Sequence, residues 1–269
     1  MTLTKVTAFI KRDFQIETSY KLAFILWIVN SAFPIISYFF IGRLMEGSHP
    51  EALAKYGTNY FSFVLIGISF TSYFTAAITI FSGSIRRAQM AGCLEAILSS
   101  QTNPRTIVLM SSFYSFISSA VIMFIMFIIS ILFFGFDISN INIPSFLISF
   151  LLSLVVFISL GIFSASGTIV FKQGDPFQFI FGALSSLLGG AVFPVSILPD
   201  WLKAVSDFIP ITYSLDILRF SILKGYGIGQ LSHQFFILLI MAVILFPLSL
   251  QTFNWAVNRG KRTGTLMDY

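Results

Sequence analysis

Two histidines, His49 and His233, and one cysteine, Cys93, are the soft metal ligands in this chain. The histidines lie far apart, and neither has an acidic or cysteine neighbour at the spacing a zinc site needs. A metal centre is therefore not expected, and the lone cysteine excludes an internal disulfide. No Ser/His/Asp constellation is suggested. The 11 acidic residues nearly all flank apolar runs, and none sits at the centre of one. Proton- or sodium-coupled carriers keep an ionisable group or a broken helix pair at the bilayer midplane, so this pattern argues against one. No G-x-x-x-x-G-K-[ST] loop occurs, and Gly260-Lys261 belongs to a basic tail without an upstream glycine. Any uphill work must draw on a nucleotide hydrolysed by another polypeptide.

The remaining place for chemistry is a contact surface. Ser84 to Arg105, SIRRAQMAGCLEAILSSQTNPR, is a polar interruption between two long apolar runs. Met90, Cys93, Leu94, Ile97 and Leu98 recur at i, i+3, i+4, i+7 and i+8, which predicts one face of a short helix. Arg87, Gln89 and Glu95 fall elsewhere on the wheel, and Ser99 to Pro104 supplies turn formers and a stop. Such a face either lies on the lipid interface or docks in a groove of another protein. It is narrow and has no aromatic anchor, which favours docking. Cys93 reads as a small apolar filler.

The elements that must position this segment are membrane spans. The chain of 269 residues is 56% apolar and 10% charged, and its mean hydropathy is +0.89. Those values lie outside the range of soluble domains. Six apolar runs approach the roughly 20 residues needed to cross hydrocarbon: Leu22–Ile41, Tyr60–Phe81, Ile107–Phe134, Ile143–Phe171, the short Phe177–Phe193, and Phe235–Trp255. Ahead of them, Leu3 to Tyr20 has Leu3, Val6, Phe9, Ile10 and Phe14 on one face and Lys5, Lys11 and Arg12 away from it. This suits a helix lying flat on anionic headgroups. No cleavable signal peptide and no second domain are expected. Eleven of the 16 Lys and Arg fall on one side of this arrangement, including Lys5, Lys21, Arg86, Arg87, Arg105, Lys172 and Arg259. The positive-inside rule makes that side cytoplasmic, with both termini, the 84–105 loop and the Lys172–Pro176 turn. The net charge of +5 is thus a topology signal, and no nucleic-acid partner is implied.

On the outer side, Pro194 to His233 is too long and too apolar for a simple loop. Trp201, Leu202, Val205 and Phe208 form one short face, opened by Pro199 and closed by Pro210. Leu215, Leu218 and Ile222 form another, with Asp216 and Arg219 at i, i+3 on the polar side as a local ion pair. Two short helices dipping into the outer leaflet are expected. Gly189 and Gly190 before them allow either a close helix approach or a flexible join.

Two stretches carry a family resemblance. RRAQMAGCLEAILSSQTNPR, with Gly92, Leu94-Glu95, Ile97-Leu98 and Pro104, resembles the coupling segment of type-2 permeases of ATP-binding cassette (ABC) exporters. In this chain Arg86, Arg87 and Gln89 stand where family members commonly carry acidic residues. FPVSILPDWLKAVSDFIPITYSLDILR, Phe193 to Arg219, resembles the external re-entrant segment of the same family, nearest to its drug, antibiotic and lipo-oligosaccharide branch. The resemblance covers the whole chain. It implies an all-α polytopic permease of about six transmembrane helices, 1–269 being one domain. It also implies that Arg86, Arg87, Gln89, Met90, Gly92, Cys93, Leu94, Glu95, Ile97 and Leu98 couple to a cytosolic ATPase. Phe193, Pro194, Pro199, Trp201, Pro210, Tyr213, Asp216 and Arg219 become external gate candidates. The partners implied are an ABC ATPase subunit that binds ATP and Mg, a second identical or similar permease subunit, and lipid. No cofactor is expected in the chain itself, nor any enzymatic activity. The location implied is a prokaryotic inner (plasma) membrane.

For the substrate, the 33 Phe against 9 Tyr and 3 Trp tilt the balance. Sugar paths favour rings with polar handles. A hydrophobic or lipid-anchored molecule is therefore expected, with a lipid-linked polysaccharide or lipo-oligosaccharide as the alternative. A stand-alone membrane scaffold or enzyme, the third possibility, lacks a polar cluster to support it.

Overall fold

The structure, a computed structural model, describes residues 21–45, 51–57, 59–90, 92, 104–171 and 176–263. Among these residues every regular element is a helix and no strand occurs. In chain order the helices are α1 (Lys21–Leu44), α2 (Glu51–Ala54), α3 (Tyr60–Met90), α4 (Pro104–Phe134), α5 (Ile143–Phe171), α6 (Pro176–Leu188), a 3-10 turn at Val195–Ile197, α7 (Asp200–Ser206), α8 (Pro210–Leu223) and α9 (Ser232–Thr263). Four stretches are long and apolar enough to span a bilayer: Tyr60–Met90, Ser115–Phe134, Ile143–Phe171 and Ser232–Arg262. Shorter apolar pieces, Phe33–Leu44 and Gln178–Leu188, accompany them. The chain is a polytopic all-helical membrane protein.

Helix α3 is the axis of the fold. Its 31 residues give it a length of roughly 46 Å at 1.5 Å per residue. Phe63, Val64, Ile66, Phe74 and Ala77 on it have no exposed surface. It packs chiefly on α5, which packs in turn on α9. The α3–α5 seam is aromatic: Phe74 stacks on Phe157 at 4.5 Å, and Tyr73 on Phe150 at 5.7 Å. The two backbones approach closely at Gly161, where a Cβ would stand 2.7 Å from the Ala77 carbonyl oxygen. Many large apolar side chains of the long helices face outward, among them Phe40, Phe124, Leu132, Phe236 and Val243. In water such a surface would drive aggregation; in lipid it is the solvated face.

Helix α6 behaves differently. Its 13 residues reach only about 20 Å, against roughly 30 Å of hydrocarbon. The apolar run continues to Phe193, but the helix ends at Leu188. Gly190 takes φ +74, and a Cβ on Gly189 would lie 2.2 Å from Ile211 Cγ2. The glycine pair therefore both stops the helix and lets α8 press against its end. The chain then turns back through α7 and α8. The Ser206 hydroxyl donates to the Leu188 carbonyl at 2.8 Å, satisfying one of the orphan acceptors at the end of α6.

Helix α8 has no exposed face. Leu215, Leu218 and Ile222 are buried as the sequence pattern implies, but so are Ile211, Ile217, Phe220 and Arg219. It lies among α3, α5 and α9 as a core element. The preceding α7 is peripheral, with Trp201 strongly exposed, as is Phe208 just past its end. His233, expected in a loop, sits in the first turn of α9 and is exposed.

Candidate functional site

The coupling candidates gather at one end of α3, and here the expected boundary moves. Ser84 to Met90 do not begin a new helix; they are the last turns of α3. The polar residues do not end the helix, because hydropathy marks where lipid stops and not where backbone hydrogen bonding stops. The stop is Gly92, at φ +63, whose N–H donates to the Gln89 carbonyl at 2.9 Å. A helix cannot run unbroken through a left-handed residue. Cys93, Leu94, Glu95, Ile97 and Leu98 lie outside the described residues. Arg86, Arg87 and Met90 are exposed, whereas Gln89 is buried and its Oε1 has no hydrogen-bond partner. Ser112 of α4 donates to Ser84 at 3.4 Å, holding this end of α3 against its neighbour. Phe81 and Ile85 pack there with Phe253, Ala256 and Val257 of α9, so Arg259, Lys261 and Arg262 stand at the same end. The expected surface helix over Leu3 to Tyr20 and the Lys172 turn fall outside the described residues.

The opposite end is built around Arg219, and its geometry corrects the expected ion pair. Arg219 and Asp216 do not bond one another; each turns to a different element. Asp216 accepts hydrogen bonds from the Tyr56 hydroxyl and, at 3.2 Å, from Lys55 Nζ, both just beyond α2. Burial first, then the charge of Asp216, pushes the Tyr56 hydroxyl well above its usual pKa range, with Arg219 pulling the other way. It remains a proton donor at any physiological pH.

Arg219 is 1% exposed. Its Nε and Nη2 donate to the Phe63 carbonyl of α3 at 3.2 and 3.1 Å, and Nη2 also donates to the Ala191 carbonyl at 3.0 Å. The guanidinium lies over the Phe63 ring at 3.5 Å. A buried cation needs polar partners of this kind, because the uncompensated charge would cost several kcal/mol. Gly67 makes the approach possible: a Cβ there would meet Ala191 O at 1.9 Å and Arg219 Nη2 at 2.4 Å. Nothing in the i, i+3 spacing of Asp216 and Arg219 signals this. The available sign was a glycine in the apolar run that carries Phe63.

The other gate candidates spread around this core. Pro194 and Pro210 are buried, Phe193 and Tyr213 are half-buried, and Pro199 and Trp201 are exposed. Pro210 opens α8 at its first position, where its missing N–H costs nothing. The α4–α5 connection closes the same end. Asn142 N donates to Ser221 O at 2.8 Å, and a Cβ on Gly225 would lie 2.5 Å from Asn140 O.

Among the described residues no three His, Cys, Asp or Glu side chains cluster as metal ligands. Long lipid-facing helices, one half-length helix and a returning helical segment pinned by a buried arginine define a multi-pass membrane protein. Residues 4–223 match the ABC-2 type transporter family, and the chain belongs to that family. It is a permease subunit of an ABC transporter, the membrane part of a machine whose permeases typically partner with an ABC ATPase. Comparison with curated proteins returns no match.

Proposed function

We propose that this permease exports a hydrophobic or lipid-anchored molecule from the cytosol or inner leaflet of a prokaryotic plasma membrane. Two such subunits, identical or similar, surround a central path and carry two ATPase subunits that bind ATP and Mg on the cytosolic side. Both termini and the 84–105 segment face the cytosol. Arg86, Arg87 and Glu95 form rim ion pairs with the ATPase, and Leu94, Ile97 and Leu98 enter its cleft. Closure of the ATPases moves this segment, and the external segment of α7 and α8 opens or seals the exit.

The observation that carries the reading is α3 itself. It is one unbroken helix with exposed Arg86, Arg87 and Met90 at one end, and the Arg219 cluster at the other. The choice of a hydrophobic cargo is supported by the aromatic content. The buried Tyr56 and Tyr73 are packed among phenyl rings. Substituting Leu94→Asp or Ile97→Asp tests the docking. Co-purification of the ATPase subunit is expected to fall at least tenfold, since a carboxylate buried in an apolar cleft costs more than 1.4 kcal/mol. Undiminished co-purification refutes it.

A further inference from the structure

We infer that Arg219 is a positioning residue that joins the external segment to α3, so that the two move as one body when the far end of α3 is displaced. This deepens the proposed function and rests on its coupling end.

The joint is specific. Helix α3 presents the Phe63 carbonyl, already the acceptor position for the Gly67 N–H one turn on. With no side chain on Gly67, the planar guanidinium slides against the helix and reaches that carbonyl with two of its donors. The same Nη2 then holds the Ala191 carbonyl, just past the end of α6. One side chain on α8 thus fastens three pieces of backbone: α3, the end of α6 and α8 itself. A lysine has the charge but not the fork, and its single nitrogen cannot reproduce this set of bonds. Drawing α3 away from α8 by 1 Å along its two bonds would stretch them from 3.1–3.2 Å to about 4 Å, beyond hydrogen-bond range. The low-energy motion is therefore a shared one. The opposite end of α3 bears Arg86, Arg87 and Met90, so a push delivered there reaches the external segment through a rod of roughly 46 Å.

The test uses the permease–ATPase complex reconstituted in liposomes. Ile197→Cys, on an exposed position of the external segment in a Cys93→Ala background, reports its conformation by its labelling rate with a membrane-impermeant maleimide added on the side of that segment, ATP and vanadate being supplied on the other. The ratio of rates with and without ATP trapped by vanadate is read in the parent, in Arg219→Met and in Arg219→Lys. Ser221→Ala, a buried neighbour whose hydroxyl bonds only within α8, controls for general loosening. A parent ratio at least threefold away from one is expected. It should collapse to about one in Arg219→Met, fall partway in Arg219→Lys and stay unchanged in Ser221→Ala, while ATPase co-purification and hydrolysis persist. A ratio in Arg219→Met equal to the parent's overturns the joint alone. Should Arg219→Met fail to assemble, the lysine variant decides: a full parental ratio there overturns the joint, and a reduced one supports it. Absence of ATPase binding by the parent, or a parent ratio of one, sinks the coupling reading and the joint with it.

Discussion

Gly67→Ala is the smallest perturbation that discriminates this architecture from a generic helical bundle. A methyl group at that position would stand 1.9 Å from the Ala191 carbonyl oxygen. Ordinary contact begins near 3.4 Å, so α3 and the 189–191 turn must part by about 1.5 Å. That separation takes Arg219 Nη2 and Ala191 O, now at 3.0 Å, out of bonding range. Overpacking costs roughly 1–3 kcal/mol and the lost charged hydrogen bond about 1.5–3, offset by about 1 gained from replacing a helical glycine. The net loss is then ~1.5–5 kcal/mol, and at about 2–4 °C per kcal/mol the Tm falls by about 3–20 °C. Gly83→Ala in the same helix supplies the opposite sign, because its nearest neighbour is the flexible tip of Arg87 at 3.7 Å. It should gain up to about 1 kcal/mol. Thermal unfolding of the detergent-purified permease, followed by tryptophan fluorescence, measures both. If Gly67→Ala melts at or above the parent, the tight α3–turn contact is wrong.

Three further outcomes follow from the same contacts. Tyr56→Phe removes the donor to Asp216 and should cost about 1–2 kcal/mol, read as a lower Tm. The Lys55–Asp216 pair is half-exposed, so Lys55→Ala should cost less than about 1 kcal/mol in the same assay. Gly189→Ala places a methyl 2.2 Å from Ile211 and should destabilise by about 1–3 kcal/mol, detectable as faster proteolysis of the α6–α8 connection.

The class of protein was legible in the sequence, because lipid imposes long apolar runs and keeps most basic residues away from their centres. The finer geometry was not. Hydropathy ends a span at Phe81, yet Ser84, Arg86, Arg87 and Gln89 carry good helical backbone, and α3 runs on to Met90 until Gly92 turns it. The run to Phe193 reads as one span, but apolar residues continue through a glycine turn without continuing the helix. Arg219 was placed on a polar face because charge normally marks the solvated side. Its true setting depends on a carbonyl 156 residues away, a relation no local pattern contains. Among the described glycines, those at 67 and 161 mark where backbones touch, and that at 189 where a side chain presses on a helix end. Glycine within an apolar run was thus the informative letter, more than charge.

The shortness of α6 has its own consequence for the surrounding bilayer. A helix that stops about 10 Å before crossing, followed by a folded plug, replaces part of one leaflet with protein on that flank. Acyl chains beside it have less rigid wall to match and must shorten, tilt or thin around the notch. Trp201 and Phe208 protrude at its rim, where an aromatic ring can rest at headgroup level. The hydrocarbon barrier beside α6 is therefore thinner than beside the full-length spans.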